Sequence, residues 1–224
     1  MRRTALFFDF DNTLTEYDVL DEIIETFSVD GRWREWETAY VEGRMSARDC
    51  LTRQIENLRV TREELLGHLS TVRIDPLFGE ILAWAQRHRV PVKILSDSFE
   101  PLIRHLLRSN AVEGVPVIAN GLEFDGERLI PSFPHYDPAC TRSANAKARH
   151  LSGLERWTVV FAGDGRSDLD AALGADVVFA KAALANELRA RSVPFQPFDT
   201  LVPVLSFLEQ TASTGYFAGA RRSR

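Results

Sequence analysis

Along most of this chain, short apolar runs alternate with amphipathic stretches. The runs at 5–8, 92–95, 115–119, 159–162, 177–179 and 195–198 read as strands. The stretches between them carry apolar residues at helical spacing. That order predicts an α/β fold: a doubly wound, mostly parallel sheet with helices on both faces. From Glu16 to Ile74 the alternation breaks and the pattern becomes almost wholly helical. Ser46-Ala47-Arg48-Asp49 and Thr61-Arg62-Glu63-Glu64 resemble capping boxes. Leu51, Ile55 and Leu58, and then Leu65, Leu66 and Leu69, give each following helix an apolar face. Trp33 and Trp36, three apart, read as packing residues. A helical cap is therefore expected between the first strand and the rest of the sheet. Asp75-Pro76 restarts the core with an acid N-cap and a proline at the first helical position. That helix carries Ile81, Leu82, Trp84 and Ala85 and ends near His88. Asp125-Gly126, between two apolar stretches, marks a β-hairpin over 120–133. The expected division is a core of 1–15 and 75–210, a helical cap of 16–74, the hairpin inside the core, and a flexible tail of 211–224.

Composition narrows the function. The chain has 224 residues and is 45% hydrophobic, enough for one large domain or a core with an insertion. Its net charge of -5 gives no footprint for a nucleic-acid partner. The basic stretch Arg221-Arg222-Ser223-Arg224 reads as a solvated tail. Cys50 and Cys140 lie far apart, which argues against a disulfide framework and for a reducing compartment. The apolar run after Arg2 and Arg3 is cut short by Asp9 and Asp11, too early for a signal peptide or a membrane span. A cytoplasmic protein without a membrane partner is expected.

The candidate chemistry begins at Phe7-Phe8-Asp9-Phe10-Asp11-Asn12-Thr13-Leu14-Thr15. If the strand continues through both acids, Asp9 and Asp11 face the same way. Two like charges at the end of a buried strand are costly without a cation. A helix N-cap accounts for one of them, not for both. A second strand runs into Ser96-Asp97-Ser98, where hydroxyls and free amides at a helix start make an anion site; either serine could also be a plain N-cap. Lys147 lies near the start of a helix, against the macrodipole, where a surface lysine is the ordinary alternative. Val159-Val160-Phe161-Ala162-Gly163-Asp164-Gly165-Arg166-Ser167-Asp168 carries an apolar strand into a glycine-rich turn with two more acids. Asp168 also reads as a helix N-cap.

These four motifs, in this order and spacing, resemble those of the haloacid-dehalogenase superfamily. The helical cap after the first motif is similar to that of the phosphoserine-phosphatase type. Phe133-Pro134-His135-Tyr136-Asp137-Pro138-Ala139-Cys140, leading to Asn145 and Lys147, resembles the branch of 2-hydroxy-3-keto-5-methylthiopentenyl-1-phosphate phosphatase and phosphoethanolamine/phosphocholine phosphatase. His135 and Cys140 alone are too few ligands for a structural zinc. The resemblance implies a Rossmannoid core and a Mg²⁺-dependent hydrolysis of a small-molecule phosphomonoester. It implies Asp9 as nucleophile and Asp11 as general acid and base. It implies Mg²⁺ held by Asp9, Asp11 (through its carbonyl) and Asp164. Thr13, Ser96, Asp97 and Lys147 would form the phosphate site, supported by Gly165 and Asp168. A dehalogenase of the same superfamily lacks the second acid that Asp11 supplies. A phospho-ligand binder without catalysis usually lacks the nucleophile or a metal acid. Phosphoserine phosphatase is a further alternative, but the cap arginine of those enzymes aligns with Gln54, with Arg53 adjacent. Asp18 and Asp97 are expected to face the leaving group, favouring a neutral or amine-bearing one. Helix capping is the ordinary alternative for both.

Overall fold

The computed structural model describes residues 3–214. The chain enters on β1 (Arg3–Phe8) and then forms a helical cap from α1 (Val19–Phe27), α2 (Trp33–Val41), α3 (Ala47–Glu56) and α4 (Arg62–His68). It returns through α5 (Leu77–His88) to β2 (Val92–Phe99), α6 (Glu100–Ser109), β3 (Val117–Asp125) and β4 (Arg128–Ser132). It closes with β5 (Trp157–Gly163), α7 (Leu169–Gly174), β6 (Val177–Ala180), α8 (Ala182–Ala190), β7 (Gln196–Pro197) and α9 (Val202–Thr214). These strands form one sheet in the order β4-β3-β2-β1-β5-β6-β7. All pairings are parallel except β3 with β4.

β1 is central because it is buried on both faces, which is why its sequence is a continuous apolar run. Leu6 and Phe8 enter one core; Ala5 and Phe7 enter the other, with Phe161 and Leu184. The first core is continuous with the cap, because Ile23, Ile24, Ile55, Leu58 and Leu65 belong to the same cluster as Leu6 and Phe8. The chain works outward from β1 through β2 and β3, then returns to its other side through β5. The strand order thus reverses between β1 and β5. In open α/β sheets the ligand crevice lies outside the carboxyl ends at such a reversal.

Local signals explain the joints. Thr61 and Glu64 form a complete capping box, while Ser46 supplies one half of one by accepting from Asp49 N at 3.1 Å. Asp75 accepts from Leu77 N at 2.9 Å and from Leu201 N at 2.8 Å, tying the start of α5 to the C-terminal segment. The cap joins the core at a narrow neck, where Thr15 bridges Ile74. In the hairpin, Asp125 pairs with Arg128 around Gly126, whose φ of 61° suits glycine. The hairpin tip meets the cap, with Val60 N donating to Glu127 O at 3.0 Å.

Several expectations need correction. β1 stops at Phe8, so strand alternation does not orient Asp9 and Asp11. β2 continues past Leu95 through Ser96, Asp97 and Ser98, with a register shift against β3 between Leu95 and Phe99. Such irregularities bend a strand and re-aim its side chains. Trp33 packs against the core cluster as expected, while Trp33 and Trp36 are both half-buried, beneath Arg34 and Arg32 respectively. α9 runs past Gln210 to Thr214, since Thr211 is buried and its hydroxyl donates to Phe207 O at 2.8 Å. The rest of the expected tail, 215–224, with its basic stretch, lies outside the described residues. Among the described residues, no helix is long and apolar enough to cross a membrane.

The capping box gives a test of cap stability. Thr61→Ala should lower unfolding free energy by about 1 kcal/mol. Thermal or urea unfolding would measure it, and an unchanged midpoint would contradict the assigned cap.

Candidate active site

The reversal between β1 and β5 brings two acids together. Asp9 follows β1 and its N–H donates to Ala162 O of β5 at 2.9 Å; Asp164 follows β5. Beside Asp9 sits Lys147, whose side chain is 1% exposed. Its Nζ donates to Asp9 Oδ1 at 2.6 Å and to Asp168 Oδ1 at 2.7 Å. Lys147 opens a short 3-10 turn, Lys147–Leu151, immediately after Ala146, whose φ is 46°. Left-handed backbone at a non-glycine residue costs about 1–3 kcal/mol, so the surrounding contacts must impose it.

Asp168 organises the other side. Its Oδ2 accepts from Asp164 N at 3.0 Å and Gly165 N at 2.9 Å, so it holds the turn after β5 as well as the lysine. Gly163 is required here, because a Cβ would lie 2.6 Å from Asp168 Oδ2. Asn12, with φ of 48°, turns the chain after β1 and donates from Nδ2 to Asp164 Oδ2 at 2.7 Å. Thr13 Oγ1 donates to Asp164 Oδ1 at 3.2 Å.

Carboxylate oxygens of Asp9, Asp164 and Asp168 lie within 4.8 Å of one another. Burial, reinforced by Asp168, raises the pKa of Asp9 well above the usual carboxylate range, against the pull of Lys147. Burial and Asp168 also raise Asp164, to about 6. For Lys147, burial favours the neutral amine, but Asp168 and Asp9 outweigh it and hold the ammonium well above its ordinary pKa. Three buried carboxylates thus face one ammonium. The charge deficit and the all-oxygen donor set fit a hard divalent cation. Asp168 already accepts from Lys147 and two amides, so Asp9 and Asp164 are the side chains suited to hold it.

Asp11 sits apart from Asp9. Its carboxylate is not in that cluster; it meets the Ser98 hydroxyl and lies near Asp18 of the cap. Burial first, then Asp18, raises its pKa well above the ordinary value. Ser96 is buried at the irregular end of β2, its Oγ accepting from Ser98 N at 3.0 Å.

Asp97 is held by the protein's own donors. Its Oδ1 accepts from Ser143 Oγ at 2.6 Å and Asn145 N at 3.2 Å, and its Oδ2 from Ala144 N at 2.8 Å. Both oxygens are engaged by the protein, which argues against the expected phosphate and leaving-group contacts, although the residue borders the cavity. Asp18 is both a helix cap, accepting from Asp21 N at 2.9 Å, and a cavity residue.

That cavity, about 360 Å³, lies between cap and core. Asp18, Glu37, Tyr40 and Gln54 line it from the cap; Asp97 and Asp164 line it from the core. Arg53 is exposed and does not line it, because the inward position of α3 belongs to Gln54, which donates to Glu37 Oε2 at 3.2 Å. The cationic residue on its lining, Arg166, faces Glu187 at 3.8 Å. Sequence reasoning missed Asn12, Asn145, Glu37 and Tyr40. Asn12 had a signal, since asparagine tolerates a left-handed turn. Glu37 and Tyr40 had none, because their direction depends on how α2 docks.

The haloacid dehalogenase-like hydrolase family matches residues 6–173, and the chain belongs to it. A polyol phosphate phosphatase of Saccharomyces cerevisiae is 27% identical over 228 residues, covering 94% of each chain. A 2-hydroxy-3-keto-5-methylthiopentenyl-1-phosphate phosphatase of Brevibacillus brevis is 25% identical over 218 residues, covering 93% of this chain and 96% of its own. A solved phosphoserine phosphatase, as a phospho-aspartyl intermediate analogue, superposes with a TM-score of 0.70 at 17% identity, over 92% of this chain and 99% of that one. The structural likeness carries the fold.

Removing the central cation should be costly. Lys147→Met leaves Asp9 and Asp168 buried without their partner, and stability should fall by about 3–5 kcal/mol. Chemical unfolding without added metal checks this; wild-type stability in the variant would contradict it.

Proposed function

We propose that this protein is a phosphomonoesterase that hydrolyses a small-metabolite phosphate through an aspartyl-phosphate on Asp9. The observation that carries the reading is the buried Asp9–Lys147–Asp168 array, with Lys147 Nζ 2.6 Å from Asp9 Oδ1. The ammonium fixes one oxygen of Asp9 and leaves the other for in-line attack on phosphorus. As the Asp9–phosphorus bond forms, the bond from phosphorus to the leaving oxygen breaks. Asp11, on the cap side, gives that oxygen its proton and later takes one from the water that cleaves the aspartyl-phosphate. Lys147 supplies positive charge and Ser96 a hydroxyl donor for the phosphoryl oxygens. Asp9, Asp164 and the Asp11 carbonyl would hold Mg²⁺, which supplies charge neutralisation and polarises the phosphoryl group. The cap excludes bulk water. Two unpaired cysteines support a cytoplasmic setting, and the acidic charge supports a small-molecule partner rather than nucleic acid or an anionic membrane.

The cavity narrows the substrate. Asp18 and Glu37 oppose an anionic leaving group, and Arg53 is not placed to offset them. Hydroxyl-rich or amine-bearing leaving groups would instead donate to these carboxylates. The yeast and Brevibacillus relatives are named for a polyol phosphate and for 2-hydroxy-3-keto-5-methylthiopentenyl-1-phosphate, names that carry no carboxylate, which agrees with this preference. Phosphoserine, with its own carboxylate, is disfavoured.

Asp9→Asn should reduce turnover of p-nitrophenyl phosphate on the order of a thousandfold or more while the protein stays folded. Wild-type turnover should collapse on chelation and return with Mg²⁺. Retained turnover in either case would refute the mechanism. Among metabolites, glycerol phosphate or phosphoethanolamine should exceed 3-phosphoglycerate and phosphoserine in kcat/KM. Asp18→Asn should narrow that gap; a wild-type preference for either anionic substrate would overturn the assignment.

A further inference from the structure

We infer that Asp97 is a positioning residue for Lys147, and that the cap acts on the same segment through Tyr40, so that cap closure and placement of the lysine are one event. The inference rests on the phosphatase reading above.

Residues 143–147 are buried throughout. Nothing regular holds them: they lie between the hairpin and β5, outside any strand or long helix. Their fixed point is Asp97, whose three accepted hydrogen bonds come from Ser143 Oγ, Ala144 N and Asn145 N. Asn145 adds a second tie, its Nδ2 donating to Ser96 O and Ile118 O, both at 2.8 Å. The segment is thereby pinned to the irregular end of β2 and to β3. The next residue, Ala146, is then forced into left-handed backbone, and Lys147 follows with its ammonium between Asp9 and Asp168. A small movement of this segment moves Nζ.

The cap grips the two residues just before it. Tyr40 Oη donates to Arg142 O at 2.7 Å, and Ala47 N donates to Thr141 O at 2.8 Å. Tyr40 belongs to α2 and Ala47 opens α3, so both contacts exist only when the cap is seated. They enter at 141 and 142, the Asp97 clamp follows at 143–145, and the lysine comes at 147. The same seven residues therefore carry cap position to the phosphate site. This also accounts for an aspartate that borders the substrate cavity with both oxygens engaged elsewhere.

The test uses inorganic phosphate as the probe, because it has no leaving group. Its inhibition constant and calorimetric affinity are measured on the Mg²⁺-loaded full chain, with kcat and KM on several phosphomonoesters. In Asp97→Asn, whichever way the amide turns, an N–H₂ meets a backbone N–H of Ala144 or Asn145. Phosphate affinity and kcat should fall about tenfold or more, the scale of a lost hydrogen bond to a charged group, with the order of substrates unchanged. Tyr40→Phe should shift both in the same direction by about threefold, the scale of a single neutral hydrogen bond. The double variant should be hardly weaker than Asp97→Asn alone. Ser143→Ala, which removes one donor and keeps the fold, should give an intermediate loss if Asp97→Asn fails to fold. Reordered substrates with wild-type phosphate affinity in Asp97→Asn or Ser143→Ala would overturn the positioning role and make Asp97 a leaving-group contact. Additive losses in the double variant, or an unchanged phosphate affinity in Tyr40→Phe, would overturn the link to the cap. A wild-type protein that neither binds phosphate nor turns over any ester would sink the phosphatase reading itself.

Discussion

The structure depends on one buried ammonium. Lys147 is inaccessible to solvent and bridges Asp9 and Asp168, which are distant in sequence and lie beyond the ends of the adjacent strands β1 and β5. A lone charge in such a place would be expelled or neutralised. Here the charges justify one another, and each further contact serves to keep them there. Asp168 accepts two backbone amides, Gly163 leaves room for its carboxylate, and Asn12 and Thr13 satisfy Asp164. Negative charge remains in excess, and the proposed divalent cation would offset it.

The cap is not a separate body resting on the core. Its apolar residues belong to the same cluster as the inner face of β1 and β2, and at its neck Thr15 bridges Ile74 and Asp75 N donates to Leu14 O at 2.8 Å. Further contacts reach the hairpin at Glu127 and the segment before Lys147. A seated cap therefore buries apolar surface near the neck and adds directional hydrogen bonds at its rim. Between them it encloses a cavity lined with acids, which repel anionic groups more strongly as water is excluded.

The glycine-rich turn after β5 and the asparagine turn after β1 serve a common end. Each bends the chain sharply at the carboxyl end of its strand, so that a side chain emerges toward the neighbouring strand's acid. The irregular end of β2 re-aims two hydroxyls, with Ser96 Oγ accepting from Ser98 N and Ser98 meeting the Asp11 carboxylate. Three adjacent strand ends, each bent differently, converge on one small volume.

The sequence by itself determined the layered fold, because that depends on local periodicity and punctuation. The apolar runs became β1, β2, β3, β5, β6 and β7, the helical insertion became the cap, and Asp125-Gly126 became the hairpin turn. It also singled out Asp9 and Asp164, acids that follow buried apolar runs, while Lys147 and Asp168 entered through the resemblance of the four motifs. Tertiary structure decided which of them touch. Strand alternation pointed Asp11 at Asp9, but the strand ended first and a turn sent Asp11 toward Ser98 and the cap. Asp97 looked like a substrate contact, yet a segment almost fifty residues away filled its hydrogen bonds. Arg53 and Gln54 are adjacent, and only the docking angle of α3 selected the glutamine for the cavity. Periodicity fixes which face of an element is apolar; it does not fix the rotation, register and bulges that aim individual polar side chains, because those are set by contacts between distant parts of the chain.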